Sequence, residues 1–263
     1  MFKNHPDPMR MEPTPERVLA VCKMVAKQPM SKDDLTKTMT LGTDNPDVAA
    51  SISVALEELH AIDQIDGTLT LAVPSEVFVT PVSFRRFVSS IVFKNSETSF
   101  FRFTKWLISQ NERIFSLGKW EVLATTARSE SNLLEGLNEN AVLGWRFWAA
   151  FLGIGYLSGS ILIPNMNIRI QDVLATSFPT IFSYDSPIRA QDFLSWVAAE
   201  IPEVDYTQGS LPLAFSAGLR TLHELKLIEL QTQRDTDFMR LYHVDGDANN
   251  SFSHIVVREV IGR

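Results

Sequence analysis

The sequence predicts a mainly α fold with small β-hairpins. Two observations carry that reading. Apolar residues recur at three- and four-residue spacing behind Pro, Ser and Thr residues that suit helix starts. Near each end, a helix runs straight into two short strands separated by a polar turn. With 45% apolar and 21% charged residues over 263 positions, there is enough apolar side chain for two or three small cores.

Thr14-Pro15-Glu16 opens the first helix, with Thr as N-cap and Pro in the first turn, where its missing N–H is not needed. Val18, Leu19, Val21, Cys22 and Val25 give this helix an apolar stripe, and Pro29 ends it. Ser31 with Asp34 resembles a capping box for a short second helix reaching about Thr38. After LGTDNP, Asn45-Pro46 starts a third helix, with Ala49, Ile52, Leu56 and Leu59 turned inward. Ile62 to Ile65, the turn Asp66-Gly67 and Thr68 to Leu71 then read as a hairpin. Three helices and a hairpin over residues 14–73 resemble a winged helix-turn-helix.

The C-terminal part shows the same phasing. Ser186-Pro187 reads as the start of a helix containing Phe193, Leu194 and Val197, and Leu213 to Leu225 as another. A shift of 163 positions carries Leu56, Leu59, His60, Ile62 and Ile65 onto Leu219, Leu222, His223, Leu225 and Ile228. KLIELQTQ, the turn RDTD and FMRLYHV would complete a longer wing. A shift of 92 carries Leu59, Ile62, Ile65 and Gly67 onto Phe151, Ile154, Leu157 and Gly159, which suggests a third copy whose helix is Asn140 to Leu152. The expected organisation is therefore two winged helix-turn-helix units with a candidate third in tandem. Residues 1–75 form the first, 186–263 the last, and 76–180 a helical middle whose hairpin would lie at 155–163. Thr80-Pro81 opens a connecting helix, VSFRRFVSSIVF, expected to pack with Phe100, Phe103 and Trp106.

Charge is unevenly placed. The chain carries −7 overall, yet residues 81–120 hold seven basic and two acidic side chains. Arg85, Arg86, Lys94, Arg102, Lys105 and Lys119 in that stretch are the candidates for contact with a nucleic acid backbone, and Arg113 accompanies them. Their alternation with Phe87, Phe93, Phe101, Phe103 and Trp106 suits stacking on bases, although aromatics at helical spacing also suit a core.

Reading base edges needs Arg, Lys, Asn or Gln on an exposed helix face. The outward positions of the first unit's third helix would be Asp47, Ala50, Ser53, Glu57 and Glu58, whose carboxylates repel phosphate. In the last unit they would be Ser216, Arg220, Thr221 and Glu224, leaving Arg220 as the one candidate base reader.

Little in the sequence points to chemistry. There is no P-loop, HExxH or GxSxG pattern. GIGYLSG at 153–159 follows a helix and enters a strand, the reverse of a dinucleotide loop, so its glycines read as turn residues. HVDGDANNSFSH at 243–254 has alternating oxygen ligands but lacks the glycine and the closing Glu of a calcium loop. His60 and His223 fall at matching positions of the shift, Glu57-Glu58 reads as a solvated face, and Cys22 as core. No catalytic residue, metal or cofactor is expected. One cysteine excludes an internal disulfide, and the polar N-terminus lacks the apolar core of a signal peptide, so a cytoplasmic location is expected. The uncharged FWAAFLGIGYLSGSILIP, 147–164, is broken by three glycines and reads as a buried helix and hairpin, not a membrane span.

Acidic tandem winged-helix chains resemble accessory subunits of bacterial chromosome-organising ATPases, and this chain is also similar to winged-helix components of bacterial anti-phage defence islands (DpdG type). The resemblance implies a non-catalytic subunit of a DNA-handling or defence complex, docking other protein subunits through its winged-helix faces, with DNA touched mainly at its backbone. The alternative is a sequence-specific transcriptional regulator using Arg220.

Overall fold

The helix starts written in the sequence are where the first helices begin. Thr14 Oγ1 accepts from the Arg17 amide at 3.5 Å, and Ser31 Oγ from the Asp34 amide at 3.1 Å while donating to the Asp34 carboxylate at 2.7 Å. Thr80 and Ser83 form a reciprocal capping box at the connecting helix. The computed structural model describes residues 1–2, 9–42, 46–159, 161–233, 237–243 and 250–258. Asn45, the Ser160 turn position, the Arg234–Asp235 turn and the 244–249 part of the acidic loop lie outside the described residues.

The chain is mainly helical with small antiparallel sheets. In order, the elements are α1 (Pro15–Lys27), β1 (Met30–Ser31), α2 (Lys32–Thr40) and α3 (Pro46–Ser53), which continues into a π-helical turn, Val54–Glu58. Next come β2 (Ile62–Ile65), β3 (Thr68–Leu71), α4 (Pro81–Val92), α5 (Ser99–Ser109), α6 (Arg113–Leu117), α7 (Trp120–Glu130) and α8 (Glu139–Phe151). The remainder is β4 (Gly155–Ser158), β5 (Ile161–Pro164), α9 (Asn167–Thr176), β6 (Pro187–Arg189), α10 (Ala190–Glu200) and α11 (Leu213–Glu224). Four short strands close the chain: β7 (Ile228–Gln231), β8 (Met239–Arg240), β9 (Ser251–Phe252) and β10 (His254–Val257).

These elements form two compact units, residues 1–103 with 119–152, and 104–118 with 153–263. The expected middle segment 76–180 is thus shared between them.

In the first unit, β1 pairs with β3 and β3 with β2, an antiparallel sheet behind α1, α2 and α3. Asp66 and Gly67 both take positive φ, as a two-residue hairpin turn requires. The core is aromatic: Phe2 packs edge-on against Phe100 and Trp148, and Phe103 against Trp145. The Trp148 indole N–H donates to the Pro13 carbonyl at 2.6 Å. Of the five aromatics that alternate with the basic residues, Phe93, Phe101 and Phe103 are buried in the core, while Phe87 and Trp106 are half-buried.

In the second unit, α9, β6, α10, α11, β7 and β10 repeat the helix-strand-helix-helix-strand-strand order, with β8 and β9 inserted between the last two strands, and the sheet runs β6-β10-β7. Two expectations are corrected here. Residues 187–189 form strand β6, so the helix begins at Ala190, not at Pro187. The strand returning beside β7 is β10, 254–257; the expected strand FMRLYHV contributes only β8, which pairs with β9. Helices α9 and α11 cross at Gly218, where a Cβ would lie 2.8 Å from the Asn167 nitrogen and the Met166 carbonyl carbon. Only glycine allows that approach.

The helix-to-hairpin junctions also correct the expected shifts. Three helices end in a leucine cap followed by one residue of positive φ, one more residue, and then the strand: Leu59-His60-Ala61, Leu152-Gly153-Ile154 and Leu225-Lys226-Leu227. The strands that follow start at 62, 155 and 228, so they are offset by 93 and 166 residues, not 92 and 163. The π-helical turn gives α3 one residue more than α11 over the same span, 46–58 against 213–224. His60 therefore matches Lys226, and His223 is a helix residue whose Nδ1 accepts from the Leu230 amide at 3.3 Å. Among the described residues, the middle hairpin β4–β5 pairs with no third strand, and α8 and β4–β5 fall in different units.

Candidate protein-docking surface

Of the two terminal third helices expected to face a groove, α11 is enclosed, whereas α3 with its π-helical turn keeps Pro46, Ala49 and Glu57 exposed. In α11, residues 213–216, 218–220 and 222 are buried, and only Glu224 is exposed. Ser216 and Arg220, expected outward, are therefore inward. The Arg220 Nη2 donates to the Tyr242 carbonyl at 2.7 Å, and Ser216 Oγ accepts from the Tyr242 amide at 2.9 Å, so this pair anchors the strand region to the helix. In α3 and its π-helical turn, Ala50, Ser51, Ile52, Val54 and Ala55 are buried, so Ala50, expected outward, is inward, while Ala49, expected inward, is exposed. Asp47 pairs with Arg17 at 2.9 Å. Glu58 is not a solvated carboxylate: it pairs with the Met1 amino group at 2.5 Å, with the two side chains 7% and 0% exposed. Glu57 is exposed, as expected.

The six basic candidates separate into two kinds. Arg85 and Arg86 are half-buried on α4, and Arg102 is paired with Glu97. Lys94, Lys105 and Lys119 are exposed. Lys105 belongs to the second unit and the other five to the first.

The surface that stands out lies on the hairpins. By register, the second residue of the leading strand is Asp63 in β2, Tyr156 in β4 and Glu229 in β7, opposite Thr70, Ile163 and Val256. Two of these positions carry carboxylates. Glu229 is held below the usual carboxylate range, first by a hydrogen bond from Gln231 and further by the charge of Arg258. The middle position is a tyrosine, 52% exposed, with Ile161 at 37% on the same face and Leu157 at 36% along the strand. Sequence reasoning placed these three residues in an expected hairpin but gave them no role, because the shift of 92 set Leu157 against Ile65 and left Tyr156 unmatched to Asp63. Aligning Tyr156 with Asp63 and Glu229 would have found them.

Among the described residues, no group of three or more His, Cys, Asp or Glu could hold a metal. Cys22 is buried on α1, and burial pushes its thiol up to about 12. A cleft of about 780 Å³ in the second unit lies between α10, residues 206–209 and β8. Its rim carries Gln191, Asp237 and Arg240, with the Arg240 guanidinium 5.8 Å over the Phe238 ring, and the lining Thr207 hydroxyl donates to Asp205 Oδ1 at 2.7 Å. Among the described residues, no helix is long and apolar enough to cross a membrane.

No family model matches the chain, and neither does any curated protein or solved structure.

Proposed function

We propose that the chain is a non-catalytic subunit of a DNA-handling or defence complex, built of winged-helix units used as docking modules. The observation that carries this reading is the contrast between α11, enclosed along its length, and the β4–β5 hairpin, which presents Tyr156, Leu157 and Ile161 to solvent. An enclosed helix cannot enter a major groove, whereas exposed aromatic and aliphatic side chains on a rigid hairpin suit a protein partner. Docking thus runs through the hairpins and not through the third helices. Support for winged-helix units comes from the shared element order and from the matching sheet orders β1-β3-β2 and β6-β10-β7. Backbone contact with DNA, where it occurs, falls to Lys94, Lys105 and Lys119, the exposed members of the basic set.

The test places a photo-crosslinking amino acid at position 156 or at position 224 and crosslinks in the native host. The reading expects protein adducts from 156 and none from 224. DNA adducts from 224 would instead favour the regulator alternative. Charge reversal at Lys94, Lys105 and Lys119 should weaken DNA association and flatten its salt dependence.

A further inference from the structure

We infer that the cleft between α10 and β8 binds a small zwitterion with an apolar body, of the class of a free aliphatic or aromatic α-amino acid. The inference goes beyond the docking reading and does not depend on it.

The cleft lies within the second unit, and its volume of about 780 Å³ falls in the range of roughly 300–1,000 Å³ that small-molecule sites occupy. Its lining from α10 is Gln191, Leu194, Ser195 and Ala198, at i, i+3, i+4 and i+7, so a whole stripe of that helix borders open space. Leu194 and Ala198, with Tyr206 and Met239 from the other walls, give the cleft an apolar floor.

Two opposite charges edge that floor. Among the described residues, neither the Asp237 nor the Arg240 side chain has a hydrogen-bond or ion-pair partner, and the two do not pair with each other. The Phe238 ring, 5.8 Å from the Arg240 guanidinium, steadies that group and leaves it N–H donors for a carboxylate, which a guanidinium grips with two parallel hydrogen bonds.

The hydroxyls point to the other head of the ligand. Ser195 Oγ donates to the Gln191 carbonyl at 2.8 Å, Thr207 Oγ1 to Asp205 Oδ1 at 2.7 Å, and the Tyr206 hydroxyl to the Ile201 carbonyl at 3.3 Å. Each proton is committed, so these oxygens have only lone pairs left to offer a ligand. With the Asp237 carboxylate they form a set of acceptors, which suits an ammonium. A simple anion would meet Arg240 but be repelled by Asp237, and a simple cation the reverse. A neutral polar molecule would leave the apolar floor bare. A zwitterion satisfies both charges while its side chain covers the floor, and excluding water there strengthens both pairings.

Titration calorimetry of the purified full chain with L-phenylalanine, L-leucine and L-methionine, each to about 10 mM, tests the site. At least one is expected to bind with a Kd of about 1 mM or tighter, and to raise the melting temperature as its concentration passes Kd. For the amino acid that binds, the acid lacking the ammonium and the amine lacking the carboxylate (3-phenylpropionate and phenethylamine for L-phenylalanine) should each bind at least about tenfold more weakly. Arg240→Gln and Asp237→Asn should each weaken binding by a similar factor. Both side chains are exposed, so the unliganded melts of R240Q and D237N should match wild type. No binding by any of the three amino acids overturns the inference. So does a ligand that keeps its affinity without either charged head, or one that binds R240Q and D237N as it binds wild type.

Discussion

Arg220 Nη2 lies 2.7 Å from the main-chain oxygen of Tyr242, with the arginine only 9% exposed. The side chain that looked most like a base reader is thus a clamp between α11 and the strand region beyond it. Arg220→Ala removes a charged donor and leaves a carbonyl behind, which should cost about 1–3 kcal/mol of stability. Urea denaturation of the variant checks this. Any loss of DNA association in R220A should track the loss of folded protein.

The Arg169 Nε lies 2.9 Å from Glu203 Oε1, and the two side chains are 5% and 0% exposed. Arg169 also donates to the Glu200 carbonyl at 2.8 Å, so α9 is tied to the segment after α10. Removing one partner strands a buried charge, so Glu203→Ala should lower stability by about 3–5 kcal/mol. The double replacement Arg169→Met with Glu203→Leu should lose less than E203A alone, because neither charge remains. A double-mutant cycle in urea measures the difference.

Gly218→Ala places a methyl group 2.8 Å from the backbone of residues 166 and 167, which cannot yield cheaply. A loss of about 1–3 kcal/mol is expected. Gly136→Ala meets no atom within 4 Å and should stay within about 0.5 kcal/mol of wild type. Thermal melts of the two variants provide the comparison.

Cys22 gives a pH signature. Its thiol is raised from 9.0 to about 12 in the folded chain by burial, so the unfolded chain ionises first. The folded form then binds more protons than the unfolded form between those values, and stability falls as pH rises from 9 towards 12, by at most about 1.4 kcal/mol per unit. Below pH 9 the thiol contributes no slope. In the native protein at pH 8, a thiol reagent should react with Cys22 only at the rate of unfolding.

Local signals made much of the fold legible. Thr14, Ser31 and Thr80 cap the helices they were expected to cap, and Asp66-Gly67 turns the hairpin it was expected to turn. These features depend on side chains within a few residues of one another, which a sequence displays directly. What was hidden depends on distant partners. Pro187 looks like a helix start, but residues 187–189 pair with β10, almost seventy residues on. Glu58 looks solvated until the Met1 amino group arrives from the far end of the unit. Arg220 looks outward because helical periodicity assumes one buried face, whereas α11 is packed on several sides. Tyr156 was hidden for a different reason: its meaning comes from the carboxylates at the same register position in two other strands, β2 and β7.

The central claim is that the exposed hairpin, and not a third helix, engages the partner. Its most direct test is quantitative co-purification from the native host with tagged wild-type chain, Y156D and R220A, normalised to folded bait. The account predicts that Y156D loses at least about tenfold of every stably associated subunit while R220A retains them. Equal recovery with Y156D and wild type would contradict it.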